Sequence, residues 1–157
     1  MYYSAIGLLA AMVLWIVNYD ILSNRGNAFE EEAWKVYRRF LFAVLLYYLT
    51  DIFWGILESW KMVQLLFADT TIYYIAMASG VFFWAQYTVR YLKDETAVGR
   101  FLVHAGRMIA GLITIIAVVN IFKPILFTVN GNCEYHALPA RHILLAIQIF
   151  LLILIYS

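Results

Sequence analysis

The feature that most constrains this chain is a series of apolar runs, each close to the length that crosses a bilayer. A helix needs roughly 20 apolar residues to span about 30 Å of hydrocarbon. Five such runs are present: Tyr3 to Leu22, Phe40 to Leu57, Val63 to Tyr87, Met108 to Phe122, and Arg141 onward. They are solid rather than alternating, which argues against a transmembrane β-barrel. With 65% apolar and 13% charged residues, we predict an all-α integral membrane protein, a bundle of five transmembrane helices in the plasma membrane.

The basic residues indicate an orientation, because Lys and Arg collect in cytoplasmic loops. Most of them fall in or beside the first and third connections between the runs: Arg25, Lys35, Arg38, Arg39, Arg90, Lys93, Arg100 and Arg107. The others fall by the second and fourth connections: Lys61, Lys123 and Arg141. This asymmetry predicts an amino terminus outside the cell and a carboxyl terminus inside.

Two connections carry structural signals of their own. Asn27 followed by Glu30 resembles a capping box, so we expect a helix that begins there and continues without a break into the second crossing. Asn130-Gly131 lies between two short alternating strings, which predicts a small outer hairpin near 125–136. The last run ends the sequence with no basic cluster after it. We therefore expect residues 1–157 to be a single transmembrane domain cut from a longer chain, with an inward carboxyl end to which a cytoplasmic domain can be attached.

Three acids, Asp51, Glu58 and Asp69, lie inside or at the edge of the predicted hydrocarbon region. A carboxyl group there is costly unless it faces a pocket or a partner, so it marks a functional site by default. The second run ascends and the third descends, which places Asp51 and Asp69 at a similar depth in the outer leaflet. Aromatic rings beside such a carboxylate are suited to holding a cation.

The predicted topology brings a set of polar and aromatic residues into the outer half of the bundle. We predict that the following residues bind a small polar or cationic extracellular molecule, with Trp54 and Tyr73 as walls: Asp51, Trp54, Glu58, Asp69, Tyr73, Asn120, His136, Arg141 and His142. Two structural alternatives stay open. Two of the acids could pair with Arg141 in a buried network, or the Tyr73 hydroxyl could satisfy Asp69 within its own helix.

Sequence motifs for catalysis are missing from the chain. It has no HExxH, no serine elbow, no Gly-rich phosphate loop and no paired Cys-His spacing. We therefore predict a chain that is not an enzyme and has no cofactor, metal site or nucleic-acid partner. Cys133 has no second cysteine to pair with, so it is either an inert thiol or a bond between two copies. A small transporter and a structural assembly unit are the competing classes.

Several stretches resemble the amino-terminal membrane region of bacterial signalling proteins: Tyr3 to Ala10, Val17 to Asp20, Trp34 to Phe40 and Tyr135 to Arg141. In that family a GGDEF diguanylate cyclase, a histidine kinase or a related cytoplasmic module follows the membrane region. No GGDEF motif is present here, so the resemblance implies a receptor unit and not cyclase activity. It implies signal transduction by a homodimer, in which a ligand changes helix packing and the fifth helix passes the change to an output domain.

Overall fold

The computed structural model describes residues 2–23, 32–93 and 96–156 and is mostly helical. Its elements are α1 (Tyr2–Val17), α2 (Tyr19–Leu22), α3 (Glu32–Ser59), α4 (Val63–Tyr91), α5 (Ala97–Val119), β1 (Phe127–Val129), β2 (Tyr135–Ala137) and α6 (Pro139–Tyr156). In the described part of the chain, α3, α4 and α5 are long and apolar enough to cross a membrane, whereas α1 and α6 are apolar but shorter. A helical membrane protein is thus supported, with three helices of spanning length.

Two helices, α3 and α5, start well before the apolar runs that predicted them. α3 begins at Glu32, eight residues before Phe40, and runs unbroken to Ser59. At about 1.5 Å per residue its 28 residues extend about 42 Å, so its amino-terminal turns reach beyond a hydrocarbon layer. The predicted continuity into the second crossing is confirmed from Glu32 onward, while the capping box at Asn27 and Glu30 lies outside the described residues. α5 begins after Thr96, whose hydroxyl oxygen accepts from the Gly99 N–H at 3.2 Å.

α4 is the centre of the bundle. It packs along α3 on one side and α5 on the other, and it also contacts α6 and β1. Small side chains on α4 let these neighbours approach: Ala78 and Ala85 are both buried, and a β-carbon at Gly106 of α5 would lie 3.6 Å from Ala85 Cβ. Close backbone approach through small residues is the usual way membrane helices associate, because lipid provides no hydrophobic drive between them.

α1 lies against α3 through two glycines. A β-carbon at Gly7 would lie 3.0 Å from Asp51 Oδ2, and one at Gly55 would overlap Ser4 Oγ. The glycines therefore set the α1–α3 separation. They also place the first turns of α1 beside the end of α3 that leads into the connection at residues 60–62.

The predicted hairpin is confirmed as two short antiparallel strands, with Phe127 opposite Ala137 and Val129 opposite Tyr135. Its turn differs from the predicted one, because the left-handed residue is Cys133, with φ of 64°. Asn130 O accepts from the Cys133 N–H at 3.0 Å, and Asn130 Oδ1 accepts from the Glu134 N–H at 2.9 Å. The side chain of Asn130 thus closes a wider loop than Asn130-Gly131 alone would form. Cys133 is free and only 2% exposed.

The hairpin is anchored on α4 by aromatic packing. Phe127 stacks on Tyr74 with ring centroids 5.7 Å apart and contacts Phe67 at 4.8 Å. The core there is completed by Ala78, Ile113, Ala117, Leu126 and Leu144. We call this end of the bundle the hairpin end; it also holds the α3–α4 connection.

The opposite end of α3 and α4 carries a second aromatic group and an ion pair. Tyr37 contacts Tyr87 with centroids 4.8 Å apart, and Phe40 contacts Trp84 at 5.0 Å. Arg90 Nη1 lies 2.5 Å from Glu32 Oε2, on an exposed surface. An exposed pair of this kind contributes little stability, so the aromatic contacts hold this end together.

Threonine hydroxyls inside the helices return to their own backbone. Each donates to a carbonyl three or four residues earlier, at 2.8 to 3.1 Å: Thr50, Thr70, Thr71, Thr88 and Thr114. These hydroxyls need no partner on a neighbouring helix, so they are compatible with an apolar surrounding.

Candidate functional site

A cavity of about 260 Å³ opens at the hairpin end of the bundle, where four elements meet. α3 provides Asp51 and Trp54, α4 provides Thr70, Tyr73 and Tyr74, β2 provides Tyr135, and α6 provides Arg141. We call this space the polar cavity. It exists because the hairpin packs on α4 and thereby carries Tyr135 and the start of α6 over the end of α3.

The polar cavity holds one acid and one base that are not paired with each other. In the described part of the chain, neither Asp51 nor Arg141 joins an ion pair within 4.0 Å. The Arg141 guanidinium instead lies 5.6 Å from the centroid of the Tyr135 ring, a cation–π distance. The described residues thus do not form the predicted alternative, a buried network in which two of the acids pair with Arg141.

Tyrosines frame the cavity and fix its shape. The Tyr74 and Tyr135 hydroxyls are 3.0 Å apart, which joins α4 to β2. The Tyr73 hydroxyl is 3.3 Å from that of Tyr47, and their rings lie 4.8 Å apart, which joins α4 to α3. The four hydroxyls are thus engaged in two pairs.

Asp69 is buried beside this cavity rather than in its lining. Its residue is 9% exposed, and its Oδ2 has no hydrogen-bond partner among the described residues. It directly precedes Thr70, which does line the cavity, and Asp69 itself is outside the lining. The hydroxyl of Tyr73 bonds to Tyr47 and not to Asp69, so the other structural alternative is also not what forms.

Four of the residues predicted to bind ligand line the polar cavity: Asp51, Trp54, Tyr73 and Arg141. The structure places the others elsewhere. Glu58, His136 and His142 are exposed and contribute nothing to its lining.

Asn120 is 1% exposed, lies outside the lining of the polar cavity, and forms hydrogen bonds to backbone groups. Its Oδ1 accepts from the backbone N–H groups of Ile125 at 2.6 Å and Leu126 at 2.7 Å, and its Nδ2 donates to Phe127 O at 3.1 Å. Both polar atoms of the Asn120 side chain therefore bind backbone groups of residues 125–127, the loop that leads into β1.

Three lining residues escaped the sequence analysis: Thr70, Tyr74 and Tyr135. Tyr135 could have been recognised from the alternation of side chains along β2. Successive side chains of a strand point to opposite faces, so Tyr135 and His136 cannot both face α4. The aromatic residue takes the inner position, as the alternation of apolar and polar groups would suggest. Tyr74 and Thr70 are four residues apart, one helical turn, on the face that meets the hairpin.

A metal site would need several ligating side chains close together. No group of three or more His, Cys, Asp or Glu side chains that could hold a metal ion occurs among residues 2–23, 32–93 and 96–156. Comparison with protein-family models, with curated proteins and with solved structures finds no match to this chain.

Proposed function

We propose that the chain is a membrane-embedded sensory domain that binds a small zwitterionic molecule in the polar cavity. The observation that carries this proposal is the presence of Asp51 and Arg141 in one lining, with opposite charges that do not neutralise each other. A ligand with a cationic group and an anionic group would satisfy both. A structural assembly unit would instead favour a dry, fully paired cluster.

The aromatic walls support a cation near Asp51. Trp54 and Tyr73 lie in the same lining as the carboxylate, and aromatic faces attract an ammonium group. Arg141 offers a planar fork of donors that suits a phosphate or carboxylate. Tyr135 lies under that fork and limits its movement. A small number of placed polar groups in an aromatic pocket is the usual composition of a ligand site.

For the orientation, we propose that all five apolar helices traverse the membrane and that the hairpin end faces outside. Lys61, Lys123 and Arg141 are the described basic residues of that end. The opposite end has most of the others: Lys35, Arg38, Arg39, Arg90, Lys93, Arg100 and Arg107. The excess of basic residues supports a cytoplasmic location for the opposite end. The polar cavity would then receive its ligand from outside the cell.

For the response, α6 is the element that a bound ligand would move. Asp51 belongs to α3 and Arg141 to the first turn of α6, so a ligand held by both charges would draw α6 toward α3. A ligand shifts such an equilibrium only if it binds one packing better than the other. We propose that this shift passes along α6 to a cytoplasmic signalling domain, in a homodimer. A transporter would instead use a site near the midplane, whereas this cavity lies at one end.

The test is binding of phosphoethanolamine, and of its halves ethanolamine and inorganic phosphate, to the purified chain. Asp51→Asn should weaken binding of phosphoethanolamine and ethanolamine about tenfold or more, because a hydrogen bond to a charged group contributes roughly 1.5–3 kcal/mol. Arg141→Gln should weaken binding of phosphoethanolamine and phosphate to a similar degree. Isothermal titration calorimetry measures each affinity.

The matched controls are Glu58→Gln, an exposed acid on α3, and Lys123→Gln, an exposed base of the hairpin end. Both should bind like the unchanged chain, and helix content should stay equal in all variants by circular dichroism. The proposal fails if Asp51→Asn binds phosphoethanolamine as tightly as Glu58→Gln does. Uptake of phosphoethanolamine into sealed vesicles would favour a transporter instead.

A further inference from the structure

A second space lies beside the polar cavity, between the same helices. It is a groove of about 440 Å³ whose lining is almost entirely apolar, and we call it the apolar groove. Its lining comes from α3, α4 and Leu152 of α6, and it includes Tyr47 on α3 and Ala76, Met77, Gly80 and Trp84 on α4. It runs along the two longest helices, from the level of Tyr47 to the contact between Phe40 and Trp84 at the opposite end.

The apolar groove and the polar cavity meet at one pair of side chains. Tyr47 lines the groove, Tyr73 lines the cavity, and their hydroxyls are 3.3 Å apart. On α4 the lining proceeds in steps of three or four residues from Thr70 through Tyr73 and Met77 to Gly80. Residues at those steps lie on one helix face, so both spaces follow the same face of α4. α6 also borders both spaces, because Arg141 lines the polar cavity and Leu152 lines the apolar groove.

The groove is empty where a side chain would normally fill it. Gly80 is buried, yet a β-carbon there would have no atom within 4 Å. From Ala76 to Trp84 the groove follows eight residues of α4, about 12 Å at about 1.5 Å per residue. Buried small residues beside unfilled space are not explained by packing between α3 and α4, because such packing would close over them.

We propose that the ligand is a single amphiphile, with a zwitterionic head in the polar cavity and one hydrocarbon chain in the apolar groove. This inference rests on the proposed function, and it adds the chemical class of the ligand. The head is an ammonium group and a phosphate or carboxylate, which complement Asp51 and Arg141. The chain passes the Tyr47–Tyr73 pair and lies along Gly80, where it removes apolar surface from contact with other lipid and fills the void.

The experiment compares three probes on the full chain in nanodiscs of phosphatidylglycerol, a lipid whose head has no cation. Lysophosphatidylethanolamine has the head and one hydrocarbon chain, glycerophosphoethanolamine has the head alone, and lysophosphatidylglycerol has the hydrocarbon chain with an anionic head. In Gly80→Leu the leucine side chain fills the groove, and its β-carbon has no atom of a neighbouring helix within 4 Å. Gly111→Leu is the matched control, because Gly111 is a helix-interior glycine of α5 that is exposed and has equally open space.

We expect Gly80→Leu to weaken binding of lysophosphatidylethanolamine at least tenfold and to leave glycerophosphoethanolamine unchanged. Gly111→Leu should change neither. Asp51→Asn should weaken both ethanolamine probes, and lysophosphatidylglycerol should bind more weakly than lysophosphatidylethanolamine. On the unchanged chain, affinity for lysophosphatidylethanolamine should rise with tail length and level off once the groove is filled, which tests the groove without a substitution.

The outcomes separate the two proposals. If Gly80→Leu binds lysophosphatidylethanolamine like Gly111→Leu and tail length has no effect, the amphiphile is refuted, and the proposed function still stands on Asp51→Asn. If Gly80→Leu instead alters the monomer–dimer equilibrium with lipid affinity unchanged, the groove is an interface between copies, and the inference is also refuted. If Asp51→Asn changes neither ethanolamine probe, the proposed function itself fails.

Discussion

At the scale of single residues, the contact between Ser4 and Gly55 sets how closely α1 approaches α3. Ser4 Oγ is buried without a hydrogen-bond partner among the described residues, and it occupies the space that a β-carbon on Gly55 would need. A buried hydroxyl without a partner lowers stability. The contact therefore combines a steric limit with an unsatisfied polar atom.

This pair predicts a coupling between two substitutions. Gly55→Ala alone should lose the gain of about 1 kcal/mol that alanine normally brings to a helix interior, because its methyl group overlaps Ser4 Oγ. Ser4→Ala with Gly55→Ala should recover that gain, since a β-carbon at 55 lies 3.6 Å from Ser4 Cβ, an ordinary contact. Thermal unfolding in detergent, followed by circular dichroism, measures the four variants of the cycle. Gly111→Ala supplies the unhindered reference.

A coupling free energy near zero between positions 4 and 55 would contradict this packing. So would a gain in stability from Gly55→Ala equal to that from Gly111→Ala. We expect the coupling to be about 1 kcal/mol, in the range found for residues in direct contact.

The sequence predicted individual cavity residues where depth in the membrane was the deciding variable. Four lining residues could be found in this way: Asp51, Trp54, Tyr73 and Arg141. A charge at a known depth in a membrane helix is expected to face a pocket or a partner and not lipid. Asn120 could not be assigned correctly in this way. Its partners are backbone groups of a loop five to seven residues later, and an amide side chain in a sequence does not show whether it bonds to backbone or to a ligand.

At the scale of elements, the hairpin depends on Asn120 more than on its own strands. Each strand has three residues, too few for independent stability. Asn120 holds the chain entering β1, and Phe127 packs on Tyr74 of α4. The hairpin is therefore positioned by α4 and α5, and with it the Tyr135 ring.

Replacement of Asn120 should accordingly act on the loop first. Asn120→Ala would leave the N–H groups of Ile125 and Leu126 buried or half-buried without an acceptor, at a cost of about 1–3 kcal/mol for each such group. We expect faster hydrogen exchange of amides 125–127, lower thermal stability and weaker ligand binding in the same variant. Hydrogen exchange read by mass spectrometry gives the first result.

The control for this substitution is Asn132→Ala, an exposed asparagine of the hairpin loop, which should leave exchange and binding unchanged. Loss of ligand affinity in Asn120→Ala with amide exchange at 125–127 unaltered would point to direct ligand contact by Asn120. That outcome would restore the prediction from the sequence and contradict the loop-holding role.

Element boundaries followed the sequence less closely than element types did. The apolar runs located the helices, but α3 and α5 extend well before Phe40 and Met108 into polar sequence. Hydropathy does not find these turns because charged side chains interrupt their apolar residues. Capping is a better signal there, as Thr96 shows for α5.

At the scale of the whole molecule, the two ends of the bundle differ in basic charge, and the proposed orientation can be measured directly. Lys61→Cys and Arg100→Cys place thiols at exposed positions of opposite ends. In intact cells a membrane-impermeant maleimide should label Lys61→Cys, and it should label Arg100→Cys only after permeabilisation. The unchanged chain is the control, because Cys133 is buried and should react slowly.

Labelling of Arg100→Cys in intact cells, with Lys61→Cys protected, would reverse the orientation and place the polar cavity on the cytoplasmic side. The number of crossings is the part of the architecture that the sequence leaves least determined. α1 and α6 are apolar but shorter than α3, α4 and α5, so length alone does not fix whether they traverse the membrane. Packing against α3 and α4 has to supply the difference.

The self-contained threonines have a mechanical consequence. Because these hydroxyls donate to carbonyls of the same helix, they form no hydrogen bonds between one helix and the next. Lengthwise slippage of α3 past α4 would break the Tyr47–Tyr73 hydroxyl contact and the solvent-facing Glu32–Arg90 pair, but no threonine bond. Sliding of α3 along α4 therefore has to separate the two tyrosine hydroxyls, and the proposed hydrocarbon chain, which passes between the polar cavity and the apolar groove, would act on that same contact.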